Sequence, residues 1–240
     1  MGCTSRRAAD LFKPGLEKQL VSMPGKLIEF ESAGVLRSAY LALPATPATA
    51  GVLVIQEWWG LVPHIKNVAD RFAAAGYAAL APDLYNGRAA TEPNTAQKLM
   101  QELNIEQAAA DMAAAAAFLR TLCKRVGCVG FCLGGGLTLQ LAALGAIDAA
   151  VPYYGVLRSA PDWQGVRCPI LGHYAAQDSA TDALPKLQAA LAAAGKPAQF
   201  HIYPGTGHAF FNDERPQVYN AAAALLSWQR TLQFLGENLG

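Results

Sequence analysis

The chain has 240 residues, with 19 lysines and arginines against 18 acidic residues and a formal charge of +1. That length can bury a full hydrophobic core without disulfide or metal staples, and near-neutral charge gives no electrostatic case for nucleic acid or an anionic membrane surface. No apolar run approaches the roughly 20 residues of a membrane span, and five irregularly spaced cysteines fit a reducing, cytoplasmic compartment better than a disulfide framework.

Residues 1–24 read as a loosely ordered lead-in to a single domain over residues 25–240. No apolar core of a secretory signal follows Arg6-Arg7, and Arg6 stands where a myristoylation signal wants Ser or Thr. Residues 26–31 and 35–43 alternate around Ser32-Ala33-Gly34, which predicts a hairpin. Residues 51–55 (GVLVI) form a continuous apolar run, the pattern of a strand buried on both faces. It ends in Gln56-Glu57-Trp58-Trp59-Gly60, an unusual place for a carboxylate. Residues 65–75 carry a helical apolar period, with Pro63 near the start and Gly76 at the C-cap. A strand over 77–81 follows, closed by Pro82-Asp83.

Residues 95–122 are alanine-rich and helical, with a break expected near Leu103-Asn104. A β-branched strand over 126–129 then meets Gly130-Phe131-Cys132-Leu133-Gly134-Gly135-Gly136, with an apolar helix over 137–144 behind it. Further strands are expected over 149–154, 170–174 and 199–203, and helices over 182–194 and 217–235. Strands alternating with helices after an N-terminal hairpin give an α/β doubly wound sheet. It is mostly parallel, antiparallel at the hairpin edge, with helices on both faces.

In such sheets the ligand site lies outside the carboxyl ends of the strands. That rule selects Glu57, Asp83, Cys132, Tyr154, Asp178 and His208. Gly130–Gly134 has the form G-x-C-x-G, a nucleophile elbow with cysteine in place of serine. Taken alone the pentapeptide is moderately specific, the bland reading being a glycine-rich strand-to-helix turn with a buried, inert cysteine. Asp178 alone could be a turn or capping residue, and His208, in Gly205-Thr206-Gly207-His208, a surface loop histidine. Their order of nucleophile, acid and histidine, each after a strand, makes the three a candidate triad. His64 follows Pro63 at a helix start and could cap it, though its loop also faces the site, and His173 and His201 read as structural. No histidine pair has a metal-ligand spacing, so neither metal nor cofactor is expected.

Gln56-Glu57-Trp58-Trp59-Gly60, Ala81-Pro82-Asp83-Leu84-Tyr85, Gly130-Phe131-Cys132-Leu133-Gly134-Gly135, Gln177-Asp178 and Gly207-His208-Ala209-Phe210 together resemble the dienelactone hydrolase (carboxymethylenebutenolidase) family. The resemblance runs from about residue 26 to the last helix. It implies an α/β-hydrolase fold, a Cys132-His208-Asp178 triad and no cofactor. It also implies that Glu57 contacts and gates the resting nucleophile, and that the Leu133 and Trp58 N–H groups form the oxyanion hole. Trp58, Tyr85 and Phe210 are expected at the substrate, with Arg88 as a carboxylate-binding arginine one residue displaced from the family's place. A second such arginine is expected four residues after the histidine, where this chain has Asn212, and the family's serine after the histidine is Ala209. Arg215 lies nearby in sequence.

The implied activity is cleavage of a lactone or small carboxylic ester, of the kind met in aromatic compound degradation, through an acyl-thioester. The alternatives are a general carboxylesterase or thioesterase on the same scaffold, and a non-catalytic, redox-responsive relative. The expected partner is a small ester or lactone, with the chain a monomer or small homo-oligomer.

Overall fold

The computed structural model describes residues 24–157 and 159–240; the expected lead-in falls almost wholly outside them. One eight-stranded sheet organises the described residues. Its strands are β1 (Lys26–Ser32), β2 (Val35–Ala42), β3 (Ala50–Ile55), β4 (Ala78–Pro82), β5 (Arg125–Phe131), β6 (Ala149–Tyr153), β7 (Ile170–Gln177) and β8 (Ala198–Gly207). They lie in the order β1-β2-β4-β3-β5-β6-β7-β8. β2 pairs antiparallel with β1 and β4, and every pairing from β4 to β8 is parallel. This is the expected mostly parallel sheet with an antiparallel hairpin edge.

The apolar run of β3 is buried at every position because both faces are covered. Leu53 and Ile55 point into one core layer, under α2 (Pro93–Glu102), α3 (Ile105–Arg120) and α4 (Leu133–Ala143). Val52 and Val54 point into the other, under α1 (Pro63–Ala74) and α7 (Ala221–Leu239). The period of two along the strand thus decides which helices each side chain meets.

Helix boundaries follow local caps. The expected 95–122 segment is two helices, because the Asn104 side chain accepts from the Gln107 amide and starts α3 afresh. The closing helix begins at Ala221 rather than 217, where Asn220 accepts from the Ala223 amide. Residues 179–193 also divide, into α5 (Ser179–Asp182) and α6 (Leu184–Ala193), with Pro185 in the first turn of α6.

The chain leaves β3 for β4 on one side and later enters β5 on the other. The order therefore reverses between β3 and β5, and a crevice opens beyond their carboxyl ends. Glu57 and Trp58 follow β3, and Cys132 follows β5.

Candidate active site

Cys132 is the hinge between β5 and α4, with φ 54° and ψ −113°. A non-glycine residue in that region is strained, by about 1–3 kcal/mol, and persists only where its surroundings fix it. Here they do. A Cβ on Gly130 would run into the Gly134 carbonyl and Thr138, and one on Gly134 would sit 2.6 Å from the Gln56 oxygen. Close packing of strand, turn and helix therefore requires both glycines. The Cys132 amide donates to the Tyr153 carbonyl at 3.0 Å and the Gly134 amide to that of Gln56 at 3.1 Å. The Leu133 amide between them, at the start of α4, has no protein acceptor among the described residues, and neither has the Trp58 amide. Unused donors at a helix start favour a developing negative charge.

Cys132 also differs from the other described cysteines. Burial pushes the thiols of Cys128 and Cys168 up to about 12 and raises that of Cys123. These three are buried and behave as apolar filler, whereas Cys132 is partly exposed.

The acid and the histidine meet through sheet register. Gln177 of β7 pairs with Gly207 of β8 across a bulge near Ala175, so the next residues, Asp178 and His208, lie side by side. His208 Nδ1 donates to Asp178 Oδ2 at 2.7 Å, which leaves Nε2 as the ring nitrogen not held by the carboxylate. The Asp178 side chain is only 4% exposed and that of His208 41%, so the carboxylate is the shielded orienter and the imidazole faces the crevice. Burial alone would lower the His208 pKa from 6.5. Hydrogen bonds to Asp178 and Cys132 outweigh it and push the imidazole up to about 10. Asp178 is lowered: burial opposes this, but hydrogen bonds from His208 and the Ala180 amide prevail. Its other oxygen, Oδ1, accepts from the Ala180 amide at 3.0 Å and caps α5. The helix cap and the contact with His208 thus fall to different oxygens of one carboxylate.

Glu57 is buried, 2% exposed. Its hydrogen bonds are to residues other than Cys132. Oε1 accepts from the Tyr154 hydroxyl at 3.2 Å and Oε2 from the Asn212 amide at 2.6 Å. Asn212, standing where an arginine was expected, is therefore a partner of Glu57. The Tyr154 ring lies 5.0 Å from that of His208, and Tyr154 adopts φ 39°. Burial, then the Glu57 and Cys132 charges, raises the Tyr154 hydroxyl well above its ordinary value, so it stays a donor.

The expected substrate-contacting residues divide. Trp58 is partly exposed and meets Trp59 edge-on at 5.0 Å. Phe210 is 0% exposed among Tyr153, Tyr154 and Tyr203, and Tyr85 is 1% exposed in the core layer under α2 and α3. Arg88 binds Glu102 of α2 at 2.8 Å and the Tyr85 carbonyl at 3.3 Å. Arg215 makes no ion pair among the described residues, and its guanidinium stacks on the Trp59 ring at 3.4 Å. His64, read from sequence as a helix-start residue, is buried beside Phe131 and Phe211 with Nδ1 2.8 Å from Asp213. His173 and His201 stack on each other, and His173 Nδ1 lies 2.8 Å from the Tyr203 hydroxyl. Among the described residues no cluster of three or more His, Cys, Asp or Glu is placed to hold a metal ion, and no helix is long and apolar enough to cross a membrane.

A sequence model of the dienelactone hydrolase family matches residues 38–239. The chain belongs to the dienelactone hydrolase family. It is 33% identical over 215 residues to the carboxymethylenebutenolidase of Pseudomonas putida, covering 82% of this chain and 89% of that one. It is 35% identical over 230 residues to the protein named usf of Aquifex pyrophilus, covering 90% and 99%. Among solved structures it resembles a Klebsiella pneumoniae protein provisionally named a dienelactone hydrolase, at a TM-score of 0.81 and 30% identity, covering 89% and 98%. The expected α/β-hydrolase fold is thus the fold of this family member, and the chain is a hydrolase.

Proposed function

We propose that this carboxylic ester hydrolase opens a lactone or small ester by attack of Cys132 sulfur on the carbonyl carbon. The observation that carries the reading is the 2.7 Å bond from His208 to Asp178 beside an elbow cysteine at φ 54°. An ordinary thiol near pKa 8.5 is only a few per cent thiolate at neutral pH. His208, oriented through Nδ1 by Asp178, takes the Cys132 proton as general base when the sulfur attacks. Sulfur then adds to the carbonyl, and the C=O electrons move onto oxygen. The Leu133 and Trp58 amides receive that oxyanion, each typically worth about 3–4 kcal/mol of transition-state stabilisation.

Collapse expels the alkoxide or enolate, which takes the His208 proton. In a lactone the leaving group stays tethered to the acyl part. Water, giving one proton to the now neutral His208, attacks the thioester; collapse breaks the C–S bond and releases the Cys132 sulfur and the carboxylic acid, which gives its remaining proton to solvent. Glu57 is assigned control of the resting reactivity: it follows Gln56, whose carbonyl accepts from the Gly134 amide of the elbow, and its carboxylate would disfavour a Cys132 thiolate by like-charge repulsion. A substrate carboxylate would find its cation in Arg215, whose charge is unpaired among the described residues, rather than in Arg88, which Glu102 already holds.

The test is turnover of p-nitrophenyl acetate and of a carboxylate-bearing dienelactone by the wild type, Cys132→Ala and His208→Ala. Both variants should lose activity on both substrates by at least about a thousandfold. Ester turnover that survives Cys132→Ala would remove the nucleophile assignment.

A further inference from the structure

Two loops must be held in register for the chemistry above. One follows β3 and carries the Trp58 amide. The other follows β8 and carries His208. Three contacts join the His208 loop to the opposite side of the crevice. Asn212 donates to Glu57, Asp213 meets His64 in the first turn of α1, and Arg215 covers Trp59. The Asn212 contact is the shortest of the three and reaches the residue immediately before Trp58.

The orientation of Asn212 is not arbitrary. Its Oδ1 accepts from the Glu214 amide at 3.1 Å, so its NH2 must face Glu57. Its own amide donates to the Ala209 carbonyl at 3.0 Å, which fixes it against the turn that begins at His208. On the other side, Tyr154 follows β6 at positive φ and presents its hydroxyl to the second Glu57 oxygen. Glu57 is thus gripped at both oxygens by neutral donors, and no lysine or arginine pairs with it among the described residues. A carboxylate gripped at both ends cannot rotate without leaving a buried oxygen unpaired.

We propose that Asn212 is a positioning residue for the oxyanion hole. With Tyr154 it brackets the Glu57 side chain, and the anchored side chain holds the following Trp58 N–H where the oxyanion forms. The bracket also fixes the distance between that donor and His208, since Asn212 belongs to the His208 loop. The proposal rests on the cysteine-nucleophile reading and adds to it a role for Asn212 and Tyr154. The expected cost of displacing such a donor is that of a misplaced catalytic group, on the order of 10- to 100-fold in rate.

The experiment compares Asn212→Ala, Tyr154→Phe, Glu57→Ala and the double variant Asn212→Ala/Glu57→Ala. Two rates are read on each: acylation by p-nitrophenyl acetate, which needs the oxyanion donors, and alkylation of Cys132 by iodoacetamide, which does not. In Asn212→Ala, kcat should fall about 10- to 100-fold with KM nearly unchanged, and acylation should fall at least about tenfold more than alkylation. In the Glu57→Ala background, Asn212→Ala should cost nothing further, because the bracket acts through Glu57. Tyr154→Phe keeps the ring and the fold and should show a smaller loss of the same pattern. Acylation and alkylation falling in equal proportion, neither falling, or full additivity of the two alanine variants would overturn the proposal. Cys132→Ala separates the two readings: a dead Cys132→Ala with an unaffected Asn212→Ala sinks only the bracket, whereas an active Cys132→Ala sinks the nucleophile itself.

Discussion

Asp178 offers a test in which the structure separates two roles within one side chain. Oδ2 orients His208 at 2.7 Å, and Oδ1 caps α5 through the Ala180 amide at 3.0 Å. Asp178→Asn keeps an oxygen for the cap, since Asn caps helices about as well as Asp. That oxygen is then committed to Ala180, so the amide NH2 faces Nδ1 of His208. A donor there forces the ring to place its proton on Nε2, the wrong tautomer for taking the nucleophile's proton. A similar exchange in a serine protease triad costs about 10⁴ in kcat. We expect a loss of about 10²–10⁴ in kcat on p-nitrophenyl acetate. Asp178→Ala loses both roles. Its kcat should fall as far, and it should also lose about 1 kcal/mol of capping energy, seen as a melting temperature roughly 2–4 °C below that of Asp178→Asn. Steady-state kinetics and thermal denaturation on the three proteins check both parts. An Asp178→Asn enzyme within tenfold of wild type would refute the orienting role, and equal melting temperatures for the Asn and Ala variants would refute the cap.

Other expectations follow from the same geometry. Cys132→Gly should melt about 2–4 °C above Cys132→Ala, because glycine relieves roughly 1 kcal/mol of strain at φ 54° that alanine retains; circular dichroism melts check this. Glu57→Gln should speed iodoacetamide alkylation of Cys132 in the absence of substrate by lifting like-charge repulsion, and an unchanged rate would remove Glu57 from control of the thiol. Arg215→Gln should raise KM for a carboxylate-bearing lactone while leaving p-nitrophenyl acetate turnover within about twofold. His208 is raised in the fold from 6.5 to about 10, so the stability its proton contributes is fully present below about 6.5 and is lost as pH rises through about 10. The difference in melting temperature between wild type and His208→Gln should accordingly shrink from pH 6 to pH 10.5; a difference that grows over that range would contradict the sign.

The candidate triad could be assembled from the sequence because each member sits just past a strand, and strand ends can be read from apolar runs and glycine punctuation. The elbow was legible for a steric reason, since glycines at 130 and 134 mark a crossing too close for any Cβ. Helix boundaries were less so. Asn104 and Asn220 cap helices through side-chain bonds that a hydrophobic period does not register. Aromatic residues near the motifs were harder still, because the same pattern serves a pocket wall and a core. Phe210 and Tyr85 lie in the core, whereas Trp58 stays partly exposed beside the site.

By itself the sequence determined the order of strands and helices, the family, and the placing of Cys132, Asp178 and His208 at strand ends. Those follow from local patterns: alternation, apolar runs, glycine where backbones touch. Only the tertiary structure decided what surrounds Glu57. Its partners Tyr154 and Asn212 lie 97 and 155 residues away along the chain, and no local pattern joins them. The same is true of Arg88, drawn to Glu102, and of Arg215, laid over Trp59. A side chain's hydrogen-bond partner is chosen by what the folded sheet brings within about 3 Å, and that choice turns Asn212 from a missing arginine into the residue that holds Glu57.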